Sequence, residues 1–170
     1  YGYVDNGRYL INTHNGVKGK IPRVDINDYP AVKAHLDQFW DKISKRYDKG
    51  DTPYNLRNCA YLEDFSKPKV IYPNMTKYMP FVYDNMSYIT NQKCFIITGI
   101  FVAYLTAFFN SSLFKYCFRD SFPELQGGTR ELSKIFFEKI PVCKISDSQD
   151  VLFQEAVEDI QDKYTKQKAQ

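Results

Sequence analysis

The sequence predicts a globular chain that mixes short strands with amphipathic helices. Three observations predict it. Apolar residues make up 44% of the chain and aromatic residues 16%, more than a disordered chain carries. Short runs rich in β-branched and aromatic residues recur between Lys69 and Thr98, separated by Pro, Asn and Asp. Stripes of large apolar residues at three- and four-residue spacing stand before and after them. At 170 residues the chain suits one domain, with or without an appendage, and can bury a core.

Taken in order, Tyr9–Asn12 predicts a short strand, and HNGVKGK (His14–Lys20) a Gly-rich turn before Ile21-Pro22. Val32, Leu36, Phe39, Trp40, Ile43 and Tyr47 then line one face of a helix that Pro30 opens and Gly50 stops. On that reading Trp40 is core, and truncating it to Ala costs ~3–5 kcal/mol. Asp51, Pro53, Asn55 and Asn58 mark a turn region interleaved with Tyr54, Tyr61 and Phe65. Strands are expected at Lys69–Tyr72, Phe81–Tyr83 and Phe95–Thr98. From Phe101 the period turns helical as far as about Arg119, with a break near Asn110-Ser111-Ser112. A polar loop, DSFPELQGG, leads to a short amphipathic segment ending at Ile140-Pro141. The last helix, Asp147 to about Gln167, has Asp147 or Ser148 as cap and Leu152, Phe153, Ala156, Val157, Ile160 and Tyr164 as its stripe. The expected organisation is one domain over 1–146, with 147–170 a helix that packs on it or on a neighbour.

Cys94–Phe109 carries no charge, but it is shorter than the ~20 residues a membrane span needs. A buried strand running into a buried helix explains it better. Four scattered cysteines without a CxxC pair, and two histidines at no zinc-ligand spacing, point to a reducing, cytoplasmic setting without a structural metal. The chain opens on Tyr1 without a signal peptide, which fits a piece of a longer protein.

Net charge is only +3, but its distribution is uneven. Lys and Arg predominate up to Lys144 and acids predominate after it, so the body suits an anionic partner. Catalytic constellations are missing: there is no G-x-S-x-G elbow, no P-loop, no strand-borne G-x-G-x-x-G and no adenine-methyltransferase tetrapeptide. The nearest approach to a metal-dependent nuclease is Glu63, Asp64 and Lys69, at poor spacing. What remains is a binding profile. Arg57, Lys67, Lys69, Lys77 and Lys93 are interleaved with Tyr54, Tyr61, Tyr72, Tyr78 and with Asn55, Asn58, Asn74. Cations neutralise phosphates, while Arg, Asn and Gln can read base edges bidentately. Gln126 and Arg130, flanking Gly127-Gly128-Thr129, form a second such group.

Five segments in order carry a family resemblance: LINTHNG (Leu10–Gly16), the run IPRVDINDYP through KVIYPNM (Ile21–Met75), FIITG (Phe95–Gly99), YLTAFFNSSLFKYCFR (Tyr104–Arg119) and GTRELSKIFFEKIPVCKI (Gly128–Ile145). Together they resemble the TaqI-like C-terminal specificity domain, the target-recognition part of type II and especially type IIG restriction–modification enzymes that methylate adenine at N6. The resemblance implies an α+β fold with a mixed, irregular sheet and flanking helices. It implies double-stranded DNA as partner and a methyltransferase domain N-terminal to this segment. That domain would hold S-adenosylmethionine and the flipped adenine, with Mg²⁺ wherever the parent also cuts DNA. The best-matching segments, KVIY and KIFF among them, then read as scaffold strands, and Lys69 as orienting the sheet or touching a phosphate. The DNA-contacting set expected is Tyr54, Asn55, Arg57, Asn58, Lys69, Asn74, Lys77, Tyr78, Gln126 and Arg130. A module of a type I specificity subunit, a small nuclease and a protein-interaction domain are the competing readings.

Overall fold

The computed structural model describes residues 7–168, which fall into two compact units, Gly7–Glu63 and a second running from Asp64 through the C-terminal helix. The sequence predicts no division at this point.

The first unit has little apolar core. Its helices α1 (Pro30–Asp37) and α2 (Trp40–Ile43) bury no residue, and Ile26 is its one buried apolar side chain among the described residues. The helix expected through Tyr47 instead breaks at Phe39, whose backbone leaves the helical range (φ −111°, ψ 17°). An apolar stripe stays on one face only while the helix is continuous, so the break rotates the later residues off it. Trp40 is 45% exposed and rests on Tyr54, with ring centroids 5.4 Å apart. It is not the core residue that its spacing suggested. Tyr9–Asn12 forms no strand either: no ladder partner lies beside it among the described residues, and Tyr9, Leu10 and Ile11 are exposed.

Polar bonds hold this unit instead. Asn55 is buried, and its amide donates to the carbonyl of Val24 (3.0 Å) and more weakly to those of Thr13 and His14. Thr13 Oγ1 donates to the Tyr54 carbonyl, and the Leu56 amide donates to the Thr13 carbonyl. Three chain segments remote in sequence thus meet at one side chain.

The second unit is built on a three-stranded antiparallel sheet. Strand β1 (Lys69–Pro73) lies between β3 (Val82–Asp84) and β4 (Cys94–Thr98). These are the three strands expected, in the order β3-β1-β4. Val70 faces Tyr83 on one side and Ile97 on the other, which explains its complete burial. A separate two-stranded ribbon pairs β2 (Met75–Thr76) with β5 (Arg130–Glu131). The α+β class expected from the sequence is the one adopted, and every registered pair is antiparallel.

The uncharged run Cys94–Phe109 becomes β4 and then helix α3 (Val102–Asn110), a strand feeding a helix as expected. No helix among the described residues is long and apolar enough to cross a membrane. The anticipated break falls at Ser111, whose extended backbone and hydroxyl cap α4 (Ser112–Phe118) by accepting from the Phe114 amide. Asn110 closes the break by bonding both the amide and the carbonyl of Phe81. KIFF is not a strand: Lys134–Phe137 is the one-turn helix α5, and it places Phe137 against Tyr72, Phe81 and Phe109. The core is an aromatic cluster around Phe81, Phe109, Phe114 and Phe122. Burial there pushes the Tyr72 phenol up to about 12.

The final helix, α6 (Asp147–Lys168), packs on α3. Its cap is Ser146, not Asp147 or Ser148. The Ser146 hydroxyl accepts from the Gln149 amide while the Gln149 side chain accepts from the Ser146 amide, a reciprocal box that satisfies two end groups. Val157 is buried, while Leu152 and Ile160 of the expected stripe are exposed. Gln161 bonds the amide and carbonyl of Tyr83 at 2.8 and 2.9 Å, so its side chain covers the outer edge of β3 as another strand would.

Candidate nucleic-acid interface

The β2–β5 ribbon brings two of the anticipated polar loops together. Thr76 stands opposite Arg130 and Met75 opposite Glu131, so the Asn74–Tyr78 loop lies beside the Gln126–Arg130 turn. Neither loop is slack. Thr76 Oγ1 accepts from the amides of both Tyr78 and Met79, and buried Met79 takes φ 49° to turn the chain inward. Lys77 and Tyr78 therefore project from an anchored turn, with Tyr78 76% exposed.

On the other side, residues 124–130 form a hairpin. Glu124 bridges to Arg130, and the Leu125 amide donates to the Thr129 carbonyl at 2.7 Å. Its tip is Gln126-Gly127-Gly128, with both glycines at φ 75°. Two successive positive φ values are why glycine occupies both positions, since a Cβ there would have room but a strained backbone. Gln126 is exposed at the tip.

Arg130 serves this hairpin from inside. It is 9% exposed, donates to the Phe122 carbonyl, and reaches Asp120 at 2.9 Å and Glu124 at 2.8 Å. Its two terminal nitrogens are spent on closing the loop, with Nε buried and without a partner among the described residues, so it holds Gln126 in place and is not presented to a base. Asn74 is held by its backbone, whose N–H donates to the Lys93 carbonyl and whose carbonyl accepts from the Leu132 N–H, while its side-chain Oδ1 is buried with no partner among the described residues. Lys69 is fully buried against Asp84, with its ammonium also donating to the Phe65 carbonyl at 2.6 Å. It pins the sheet and has no access to a phosphate. The same burial removes it from the Glu63, Asp64, Lys69 constellation that a nuclease reading needs.

The Tyr54–Asn58 group lies in the other unit and is largely committed there. Asn55 is the buried pin already described. The Tyr54 hydroxyl donates to Asp37 at 2.6 Å; that bond, with Lys33 beside it, holds the Asp37 carboxyl below its ordinary range, and the same bond to Asp37 raises the Tyr54 phenol against the opposing pull of Lys33. Arg57 is exposed and faces Asp48 at 3.3 Å, and Asn58 accepts from Asn15. Asn55→Ala should consequently unsettle its unit by ~1–3 kcal/mol, the cost of stranding buried carbonyls. The chain's one tryptophan, Trp40, lies in that unit, so its fluorescence melt should shift down. An unchanged melt would return Asn55 to the surface roles.

Met75 (52% exposed) and Leu125 (37%) sit at the same ribbon and were not foreseen. The ribbon register places both at its rim. The surface thus combines a cation (Lys77), a phenol (Tyr78), a bidentate amide (Gln126) and two apolar side chains on anchored loops.

A rigid α+β scaffold that offers such side chains on two loops defines a binding module for a surface rich in hydrogen-bonding edges and negative charge. The sequence model of the TaqI-like C-terminal specificity domain matches residues 17–142, most of the chain, and the protein belongs to that family. It is a DNA-recognition domain of the restriction–modification kind. No curated protein matches the chain.

Proposed function

We propose that this chain is the target-recognition domain of a type II or IIG restriction–modification enzyme that methylates adenine at N6. In this reading the β2–β5 ribbon carries the base-reading side chains. The observation that carries it is the Thr76–Arg130 register, which sets Lys77, Tyr78 and Gln126 on one ribbon and leaves them exposed. Gln126 suits an adenine edge and Lys77 a phosphate or a guanine. S-adenosylmethionine, and Mg²⁺ where the parent cuts DNA, would bind in other domains of that parent, since this chain has no cofactor loop of its own.

The test is methylation by the parent enzyme carrying Gln126→Ala, Lys77→Ala or Tyr78→Ala. Removing a side chain that reads a base should cost ~1–3 kcal/mol and relax preference at one position of the target. Removing one that holds a phosphate should weaken all sequences alike. Arg130→Ala should also impair recognition, through a loosened hairpin, and Arg130→Lys should not rescue it because a point charge cannot span three acceptors. Wild-type rates and site preference in every one of these variants would show that the ribbon is not the reading face.

One observation favours a second reading within the same class. Helix α6 keeps Leu152 and Ile160 exposed along its 22 residues, as a spacer helix of a type I specificity subunit would. A second copy of this domain downstream, with no methyltransferase upstream, would decide for it.

A further inference from the structure

The unit Gly7–Glu63 contains an open cleft of about 820 Å³ that the ribbon does not account for. The residues lining it include Asn15, Lys18, Lys20, Arg23, Asp51 and Asn58, three cations against one acid. Residues 17–21 form a tight hairpin: the Val17 amide donates to the Ile21 carbonyl at 2.8 Å and the Ile21 amide returns the bond at 2.9 Å. The Lys20 amide also donates to the Val17 carbonyl, which makes Lys18-Gly19 the centre of a turn, and Gly19 takes the φ of 77° that the third position of a type II turn requires. The amides of Lys18 and Gly19 bond to nothing among the described residues.

The base of this hairpin is rigid for steric reasons. Gly16, at φ 74°, sits so close to the returning strand that a Cβ would stand 2.4 Å from the Ile21 carbonyl oxygen. Asn15 ties the cleft floor by donating to Asp51 and Asn58 and accepting from the Asp51 amide, and Gly50 leaves no room for a Cβ beside the Asn15 side chain. The cations, by contrast, are weakly held. Lys20 lies 3.9 Å from Glu63 and Arg23 3.5 Å from Asp51, both pairs exposed, and Lys18 has no ion-pair partner among the described residues. Exposed pairs of this kind contribute little and are readily exchanged.

We propose that the Lys18-Gly19-Lys20 turn and the cleft beneath it bind the phosphodiester backbone of duplex DNA without regard to base sequence. A rigid turn with two lysines and two free amides, beside an arginine, matches a ridge of phosphates. An open cleft of this kind does not enclose a small molecule. The inference rests on the DNA-recognition reading and adds to it a positioning contact outside the ribbon.

The test titrates the ¹⁵N-labelled 170-residue chain with two unrelated duplexes and with inorganic phosphate at matched ionic strength, and measures affinity against salt. Both duplexes should shift the Lys18, Gly19 and Lys20 amides, and inorganic phosphate should not. K18Q/K20Q/R23Q should weaken both duplexes alike, roughly tenfold or more near 0.1 M salt, and flatten the slope of log K against log salt by about 2 to 3. K18Q alone, at a residue with no ion-pair partner to lose, should show about a third of that flattening, and an unchanged spectrum elsewhere would show that the fold is intact. Shifts at Gln126–Gly128 with none at Lys18–Lys20, and an unchanged slope, would overturn the cleft and leave the recognition reading standing. Shifts at the hairpin with inorganic phosphate alone would likewise overturn it. No response to DNA anywhere on the chain would overturn both.

Discussion

Replacing Lys69 by alanine should lower the stability of the sheet-bearing unit by about 3–5 kcal/mol. The whole margin of a small domain is ~5–15 kcal/mol, so this is a large fraction of it. The reason is asymmetry. Lys69 and Asp84 are both fully buried and stand opposite each other on β1 and β3, where cross-strand partners share a face. The carboxylate oxygens of Asp84 also accept from the amides of Met86 and Tyr88, and Lys69 also serves the Phe65 carbonyl. With the lysine gone, a carboxylate is left inside without its counter-charge. Lys69→Met combined with Asp84→Leu should recover much of the loss, because an apolar pair of similar volume carries no uncompensated charge. Amide exchange in β1 and β3 is the readout, and Trp40 fluorescence, which reports the other unit, should barely move. Protection in Lys69→Ala equal to the parent's would mean that the ammonium can reach solvent, and would reopen a phosphate role for it.

Phe81→Ala should cost a similar ~3–5 kcal/mol, from lost transfer energy plus an unfilled cavity. Phe81 is 1% exposed, with ring centroids 5.0 Å from Phe109, 5.6 Å from Tyr72 and 5.9 Å from both Phe114 and Phe137. Its backbone is also held on both sides by Asn110. One residue therefore joins β1, α3, α4 and α5, and a void there has rigid rings for walls that cannot collapse into it. Phe81→Leu refills part of the space and should cost less. DNA binding should fall only in step with the folded fraction, since Phe81 faces no ligand. A loss of binding at temperatures where the variant is fully folded would show that the cluster also sets the ribbon's geometry.

The elements legible in the sequence were those whose periodicity is local. β1, β3, β4, the pair α3 and α4 with their break at Ser111, and α6 lie close to where spacing and β-branched content put them. Trp40 shows where that logic ends. Its three-and-four spacing presumed an unbroken helix, and one non-helical residue at Phe39 undid it. The candidate site was legible as residue types but not as exposure. Lys77, Tyr78 and Gln126 are at the surface, whereas Asn55, Lys69 and Arg130, equally polar in the sequence, are inside. A buried, partnered polar side chain and an exposed one look the same in a string of letters, because the difference is made by partners elsewhere in the chain.

By itself, then, the sequence determined the α+β class, most strands and helices of the Asp64–Lys168 unit, and the membership of the specificity-domain family. Local propensity and a long ordered resemblance suffice for these. Only the tertiary structure decided which cations are free to meet DNA. The Lys69–Asp84 pair joins residues on different strands, and the Arg130 latch closes on a loop preceding it. Asn55 gathers segments up to 42 residues distant. The cost of burying a charge or an amide without partners made each of those residues structural, and it left Lys77, Tyr78 and Gln126 as the exposed members of the expected set at the ribbon.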